Sequence, residues 1–176
     1  QQCINTDEYD NIKSVVNDYL KEGIAHTLDE TRNLSDSGQF EDISLQQGIR
    51  QILYPYEEME VLNPEWEVIL KDIIDSLFEQ MSDEEYNILN EEFGTYMVSR
   101  AYEYRQLLEY LVFRYFAKSI YDYDFLGKCQ MLVTNFFVIR QMDIIRWLDN
   151  HREYSFKDRM DVVHIFSRQV EYLSLI

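Results

Sequence analysis

The chain has 176 residues, 46% of them hydrophobic and 28% charged, with a formal charge of −17 at pH 7. That length suits one domain, large enough to bury about 70% of its unfolded surface without a staple. The acidic excess excludes a nucleic-acid binder, which needs Lys and Arg to displace counterions, and two cysteines at opposite ends, Cys3 and Cys129, exclude a disulfide framework or zinc site.

The first helix is predicted from Thr6 and Asp7, which can cap free amides, towards Gly23, with Ile12, Val15, Val16, Tyr19 and Leu20 as its buried stripe. Ile24 to Leu34 continues as a second piece, and Ser35 to Gln39 reads as a loop able to hinge. A helix around Ser44 to Leu53 follows, ended or bent by Pro55, which lacks an amide donor. Asn63-Pro64 starts the next helix, whose apolar face is Trp66, Ile69, Leu70, Ile73, Ile74 and Leu77, and which ends near Met81.

Ser82 with Glu85 has the capping-box pattern and opens a short helix to Glu92. Gly94 is expected to separate it from a long helix, Tyr96 to Ile120, with Leu108, Leu111, Val112, Tyr115 and Phe116 inward. After the connection Tyr121 to Phe125 comes the stretch Leu126 to Asn150, apolar on nearly every side of a helix. Its polar stripe, Lys128, Asn135, Asp143 and Arg146, is thin and broken by Leu132 and Ile139. The sequence HREY, 151–154, then turns the chain. Ser155 and Asp158 start a last helix with Met160, Val163, Phe166, Val170 and Leu173 as its core face.

Nothing reads as a strand, so the expected fold is all-α: a single domain, 1–176, built as a multi-helix bundle around the central apolar helix. A membrane span is excluded because the uncharged run Cys129 to Ile139 is half of the roughly 20 residues a bilayer demands. No basic start precedes an apolar segment, so a cytoplasmic setting is expected. The chain opens on Gln1 rather than Met, which suggests a portion of a larger protein.

From Glu57 to Glu92, thirteen acids stand against Lys71 alone, whereas from Arg100 onward eleven bases nearly balance ten acids. That concentrated field suits a lysine-bearing protein partner; a solvated acidic helix face accounts for the same residues. No glycine-rich phosphate loop, no C-x-x-C and no H-E-x-x-H is present. The histidines, His26, His151 and His164, stand far apart, and no catalytic residue or metal ligand is assigned. Three constellations remain. Arg140 falls on the apolar side of the central helix and needs a partner, either Glu103, Glu109 or Glu171 as an ion pair or the carboxylate or phosphate of a ligand. Glu103, Gln106, Tyr110, Arg114 and Tyr121 share a stripe that lines a groove or faces solvent. His164, Arg168 and Glu171 stand at helical spacing, as a charge ladder or a site.

The segment Tyr104 to Leu148, followed by Phe166 to Leu173, resembles the carboxy-terminal half of the flagellin lysine-N-methylase family. The resemblance rests on Leu108, Tyr110, Arg114, Tyr115 and Phe116, on Asp122, Tyr123 and Asp124, and on Phe166, Ser167, Arg168 and Glu171. Leu62, Asn63, Pro64 and Trp66 look similar as well, and the likeness fades before about Met59. It implies a protein-lysine N-methyltransferase that moves methyl groups from S-adenosylmethionine to lysines of a bacterial protein such as flagellin. It also implies a cysteine cluster holding a metal or iron–sulfur centre in the family's amino-terminal part, of which Cys3 is at most the trailing edge. On this reading the chain holds no cofactor and is inactive alone. It supplies scaffold and substrate docking through Glu103, Tyr110, Arg114, Arg140, His164, Arg168 and Glu171. The competing expectation is a non-enzymatic all-α module binding a partner or ligand in a groove lined by Tyr110, Arg114 and Arg140.

Overall fold

A computed structural model describes residues 43–115 and 124–171, without the side chain of Glu171. The predicted first helix, its second piece, the loop 35–39, the DYD turn at 122–124 apart from Asp124, and Phe116 lie outside the described residues. All described elements belong to the unit Ser44–Ile176. Among the described residues there are six α-helices and no strand, so the fold is all-α.

Capping chemistry sets most of the helix starts. Helix α1 (Leu45–Glu57) opens on a capping box: the Gln47 amide donates to Ser44 Oγ at 3.1 Å and the Ser44 amide donates to Gln47 Oε1 at 3.4 Å. Pro55 lies in its last turn, and the helix stops at Glu57. Helix α2 (Pro64–Ile73) has Asn63 as its cap, accepting from the Glu65 amide at 3.2 Å, and proline at its first position. It widens into a π-helical turn, Ile74–Glu79. The buried Gln46 amide donates to the carbonyls of Leu77 at 2.6 Å and Met81 at 2.9 Å, tying that turn to α1.

Helix α3 (Asp83–Met97) begins with the Ser82–Glu85 capping box, and Ser44 Oγ donates to Asp83 at 2.7 Å. Here the structure corrects the expectation of a break at Gly94. The helix runs straight through it, and the direction changes in the 3-10 turn Val98–Arg100 before α4 (Ala101–Tyr115). A Cβ placed on Gly94 meets nothing within 4 Å, so the glycine is neither a cap nor a close-approach position.

Helix α5 (Phe125–Asp149) is capped by Asp124, which accepts from the Gly127 amide at 3.0 Å. It packs against α1, α2, α4 and α6. Its burial is concentrated between Asn135 and Trp147, whereas Phe125, Leu126 and Val133 are exposed. The chain leaves it through two left-handed residues, His151 (φ 55°) and Arg152 (φ 69°). Their amides close the helix end on the carbonyls of Leu148 and Trp147, at 3.1 and 2.7 Å. Helix α6 (Phe156–Phe166) starts with the Ser155–Asp158 box and continues as a π-helical turn, Ser167–Glu171.

Two helix faces differ from those expected. On α4 the buried residues are Glu103, Leu107, Leu111 and Tyr115; Leu108 is half-buried and Val112 exposed. On α6 they are Arg159, Val162, Ile165 and Phe166, while Val163 is half-buried and Met160 exposed. Each helix is rotated to bring one charged residue into the interior, and the two charges meet there.

Gly94→Ala provides a direct check on the unbroken helix. Alanine in an open helix interior restores backbone order without a clash, and should raise unfolding stability by about 0.5–1 kcal/mol. A destabilised variant in denaturant titration would put the helix break back at Gly94.

Candidate functional site

The interior between α4, α5 and α6 holds a charged cluster. Asp143 of α5, fully buried, accepts from Tyr104 at 2.7 Å, from the Tyr154 hydroxyl and from the Arg159 guanidinium. Arg159 also donates to Glu103 at 3.4 Å and lies over the Tyr104 and Tyr154 rings, 4.3 and 5.4 Å from their centroids. Glu103 takes two further bonds from Arg100, at 2.7 and 3.0 Å, and Arg100 reaches the Tyr154 carbonyl. Burial pushes the Asp143 carboxyl up, against the opposing pull of Arg159, Tyr154 and Tyr104. Burial and the neighbouring carboxylate both keep the Tyr104 and Tyr154 hydroxyls protonated, as bond donors. The cluster lies within the fold, with Asp143, Glu103, Arg159 and Tyr154 all buried. Its work is to hold α6 in one rotation about its axis.

That rotation determines what α6 presents on its other side. Gln169, in the turn after α6, accepts from the Leu62 and Asn63 amides at 2.9 and 3.2 Å and donates to the Glu60 carbonyl at 2.6 Å. The far end of α6 is thereby pinned to the start of α2. Between the two helices, with the end of α5 as its back, lies a cleft of about 660 Å³. Val68, Ile69 and Ile165 give it apolar walls. Glu65 and Asp72 reach it from α2, Arg146 and Asp149 from α5, and Asp161, His164 and Arg168 from α6 and its continuation. Among the described residues none of these seven ionisable side chains is in an ion pair. The Arg146 Nε is buried with no hydrogen-bond partner. Asp158, beside the cleft, is held below the usual carboxylate range: burial pushes it up, but Ser155, Asn150 and Arg146 together outweigh that push.

The residues singled out from the sequence fall in different places. His164 and Arg168 share the cleft wall. Glu103 does not belong to a groove; it is buried against Arg100 and Arg159. Arg140 does not pair with Glu103 or with Glu109, whose bond is to Arg105 at 2.9 Å. Its guanidinium instead donates to the Asn90 carbonyl at 3.2 Å and covers the Phe93 ring at 5.3 Å. There it lines a smaller cleft of about 380 Å³ with Leu45, Asn87, Glu91 and Phe137. Tyr110 is exposed on α4 and Arg114 lies over the Tyr115 ring; neither lines either cleft. The side chain of Glu171 and the whole of Tyr121 are outside the described residues.

Sequence reasoning passed over Arg159, Tyr104 and Tyr154, and placed Asp143 and Arg146 on the thin, broken polar stripe of the central helix without assigning them a role. The signal for Arg159 was its position: it stands three, six and seven residues before Val162, Ile165 and Phe166, on one helical face. The cleft acids carried no local signal, because they come from three helices.

The metal or iron–sulfur centre that the resemblance implies does not suit these residues. Such clusters are held by sets of about four thiolates, and the chain has two cysteines. Among the described residues no group of three or more His, Cys, Asp or Glu side chains can hold a metal ion. The cleft between α2 and α6 presents no Phe, Tyr or Trp face on which an adenine ring would stack. No helix among the described residues is long and apolar enough to cross a membrane.

Comparison with known proteins adds one finding. The family model for the FliB lysine N-methylase C-terminal domain matches residues 1–175. Nothing matches among the curated proteins or among the solved structures.

The buried cluster generates two checks. Asp143→Ala removes the main carboxylate partner of Arg159 and leaves it only the 3.4 Å contact with Glu103, which Arg100 also holds, and should cost about 3–5 kcal/mol of stability. The double replacement Asp143→Leu with Arg159→Met should cost less than Asp143→Ala in the same denaturant series. Outside that cluster, the buried Tyr86 of α3 supplies a separate readout at alkaline pH. It donates to Gln141 at 2.9 Å, and burial pushes its hydroxyl to about 12. The unfolded chain ionises its tyrosines from about pH 10, so the stability contributed by a protonated Tyr86 is present below pH 10 and is lost as pH rises to 12. Tyr86→Phe should make the alkaline decline shallower.

Proposed function

The chain belongs to the FliB lysine N-methylase family as its C-terminal domain, and on that premise we propose that it docks the lysine-bearing protein substrate while the rest of the enzyme carries out the transfer. In this proposal the complete enzyme moves a methyl group from S-adenosylmethionine to a lysine side chain, flagellin being the substrate class that the family resemblance suggests. The observation that carries the docking role is the cleft between α2 and α6, with four carboxylates facing it and none of them in an ion pair among the described residues.

Chemistry argues for docking rather than catalysis at this cleft. A lysine attacks a methyl donor through the lone pair of its neutral amine. Carboxylates nearby favour the charged ammonium and raise the lysine pKa. Glu65, Asp72, Asp149 and Asp161 therefore suit holding a lysine cation and oppose its activation. A binding module without any enzymatic parent is the competing function, and the family membership favours the methylase.

The test is binding of the chain to a lysine-rich substrate protein such as flagellin, with Glu65, Asp72, Asp149 and Asp161 changed to their amides. Affinity should fall at low salt, and the difference should shrink towards higher salt, since exposed charges are screened within about 10 Å at 0.1 M. Equal binding by the wild type and the variant would remove the docking role from the cleft.

A further inference from the structure

The same cleft is not uniformly acidic, and the order of its charges narrows what fits. This inference rests on the docking role proposed above. Gln169 pins the far end of α6 to Leu62 and Asn63, so Arg168 stands beside Pro64 and Glu65, at the amino-terminal end of α2. The start of α6 sits at the end of α5, where Asn150 donates to Asp158 at 2.9 Å. Asp161 and Asp149 therefore occupy the opposite end, together with Arg146. Asp72 lies seven residues beyond Glu65 on α2, about 10 Å along the axis at 1.5 Å per residue.

The two ends differ in sign. Three carboxylates against one arginine make the Asp72–Asp149–Asp161 end net negative. At the other end Arg168 offsets Glu65, and the first turn of α2 adds the positive end of its helix dipole. Val68, Ile69 and Ile165 between them form an apolar middle. We infer that the cleft selects a substrate segment in which the lysine is accompanied by an acidic side chain, the ammonium lodging among Asp72, Asp149 and Asp161 and the carboxylate reaching Arg168. An acidic residue one helical turn from the lysine meets this requirement. Their Cα atoms are about 6 Å apart along the axis, and two long side chains splay from there to ends about 10 Å apart. A lysine flanked only by other lysines places a cation against Arg168 and is disfavoured.

The experiment is fluorescence anisotropy of the full chain at low salt with alanine-rich helical peptides. The parent peptide carries one Lys and one Glu four residues apart, and its relatives carry Gln in place of Glu, Gln in place of Lys, or both. Exposed ion pairs of this kind should make each single replacement weaken binding by about 1.5-fold to fivefold. In the Arg168→Gln chain the preference for Glu should vanish while the preference for Lys persists; in the Asp72→Asn/Asp161→Asn chain the pattern should reverse. Circular dichroism verifies that both variants remain helical, as these side chains make no ion pair whose loss would unfold them. If Lys matters and Glu does not in the wild type, the docking role stands and the paired-charge selection is overturned. If the four peptides bind alike or none binds, both are overturned.

Discussion

The interaction on which this structure most depends is the ion pair of Arg159 with Asp143, in an interior otherwise packed from Trp66, Phe93, Tyr115, Trp147 and Phe166. A guanidinium and a carboxylate so deeply buried need each other and further partners, because an isolated charge there costs several kcal/mol. Asp143 is held by two tyrosine hydroxyls, and Arg159 by Glu103 and two aromatic faces, with its Nη2 buried and taking no hydrogen bond among the described residues. Geometry of this kind admits one rotation of α6 about its axis. Slipping the helix by one residue would carry Arg159 away from Asp143 and put Met160 inside.

From that single constraint the outward side of α6 follows. With Arg159, Val162 and Phe166 turned inward, Asp161, His164 and Arg168 are turned towards α2. Gln169 completes the arrangement by closing three hydrogen bonds on the segment that leads into α2. The Arg159–Asp143–Glu103 charges thus lie inside, where they fix geometry, and the cleft charges, in no ion pair among the described residues, face outward, where a partner can meet them. A lysine methylase has reason to separate these tasks. Carboxylates that hold a lysine by its charge are the wrong environment for the neutral amine that accepts a methyl group.

How much of this could be read beforehand depended on how local the cause was. The starts at Ser44, Asn63, Ser82 and Ser155 were legible because a cap and its partner lie within three residues of each other. The all-helical class followed from apolar periodicity, and the family from residues spread over the second half of the chain. Gly94 misled because glycine reads as a breaker, whereas packing on both sides carries α3 through it. The inward faces of α4 and α6 misled for one shared reason: Glu103 and Arg159 are charged, and each is tolerated inside because opposite charges meet it there, Arg100 and Arg159 for Glu103, Asp143 and Glu103 for Arg159. Arg140 was read as needing a carboxylate, but a carbonyl and the face of Phe93 serve it at the half-buried edge of α5. The cleft draws on three helices and becomes visible only once their rotations are known.

The most direct measurement of the central claim is hydrogen exchange along the full chain, comparing the wild type with Arg159→Met. If the buried pair sets α6, exchange should accelerate in Phe156–Phe166 and in the 60–63 segment that Gln169 holds, relative to Asp83–Met97 in the same molecules. Equal acceleration throughout, or none in α6, would contradict the account and detach the cleft from the buried charges beneath it.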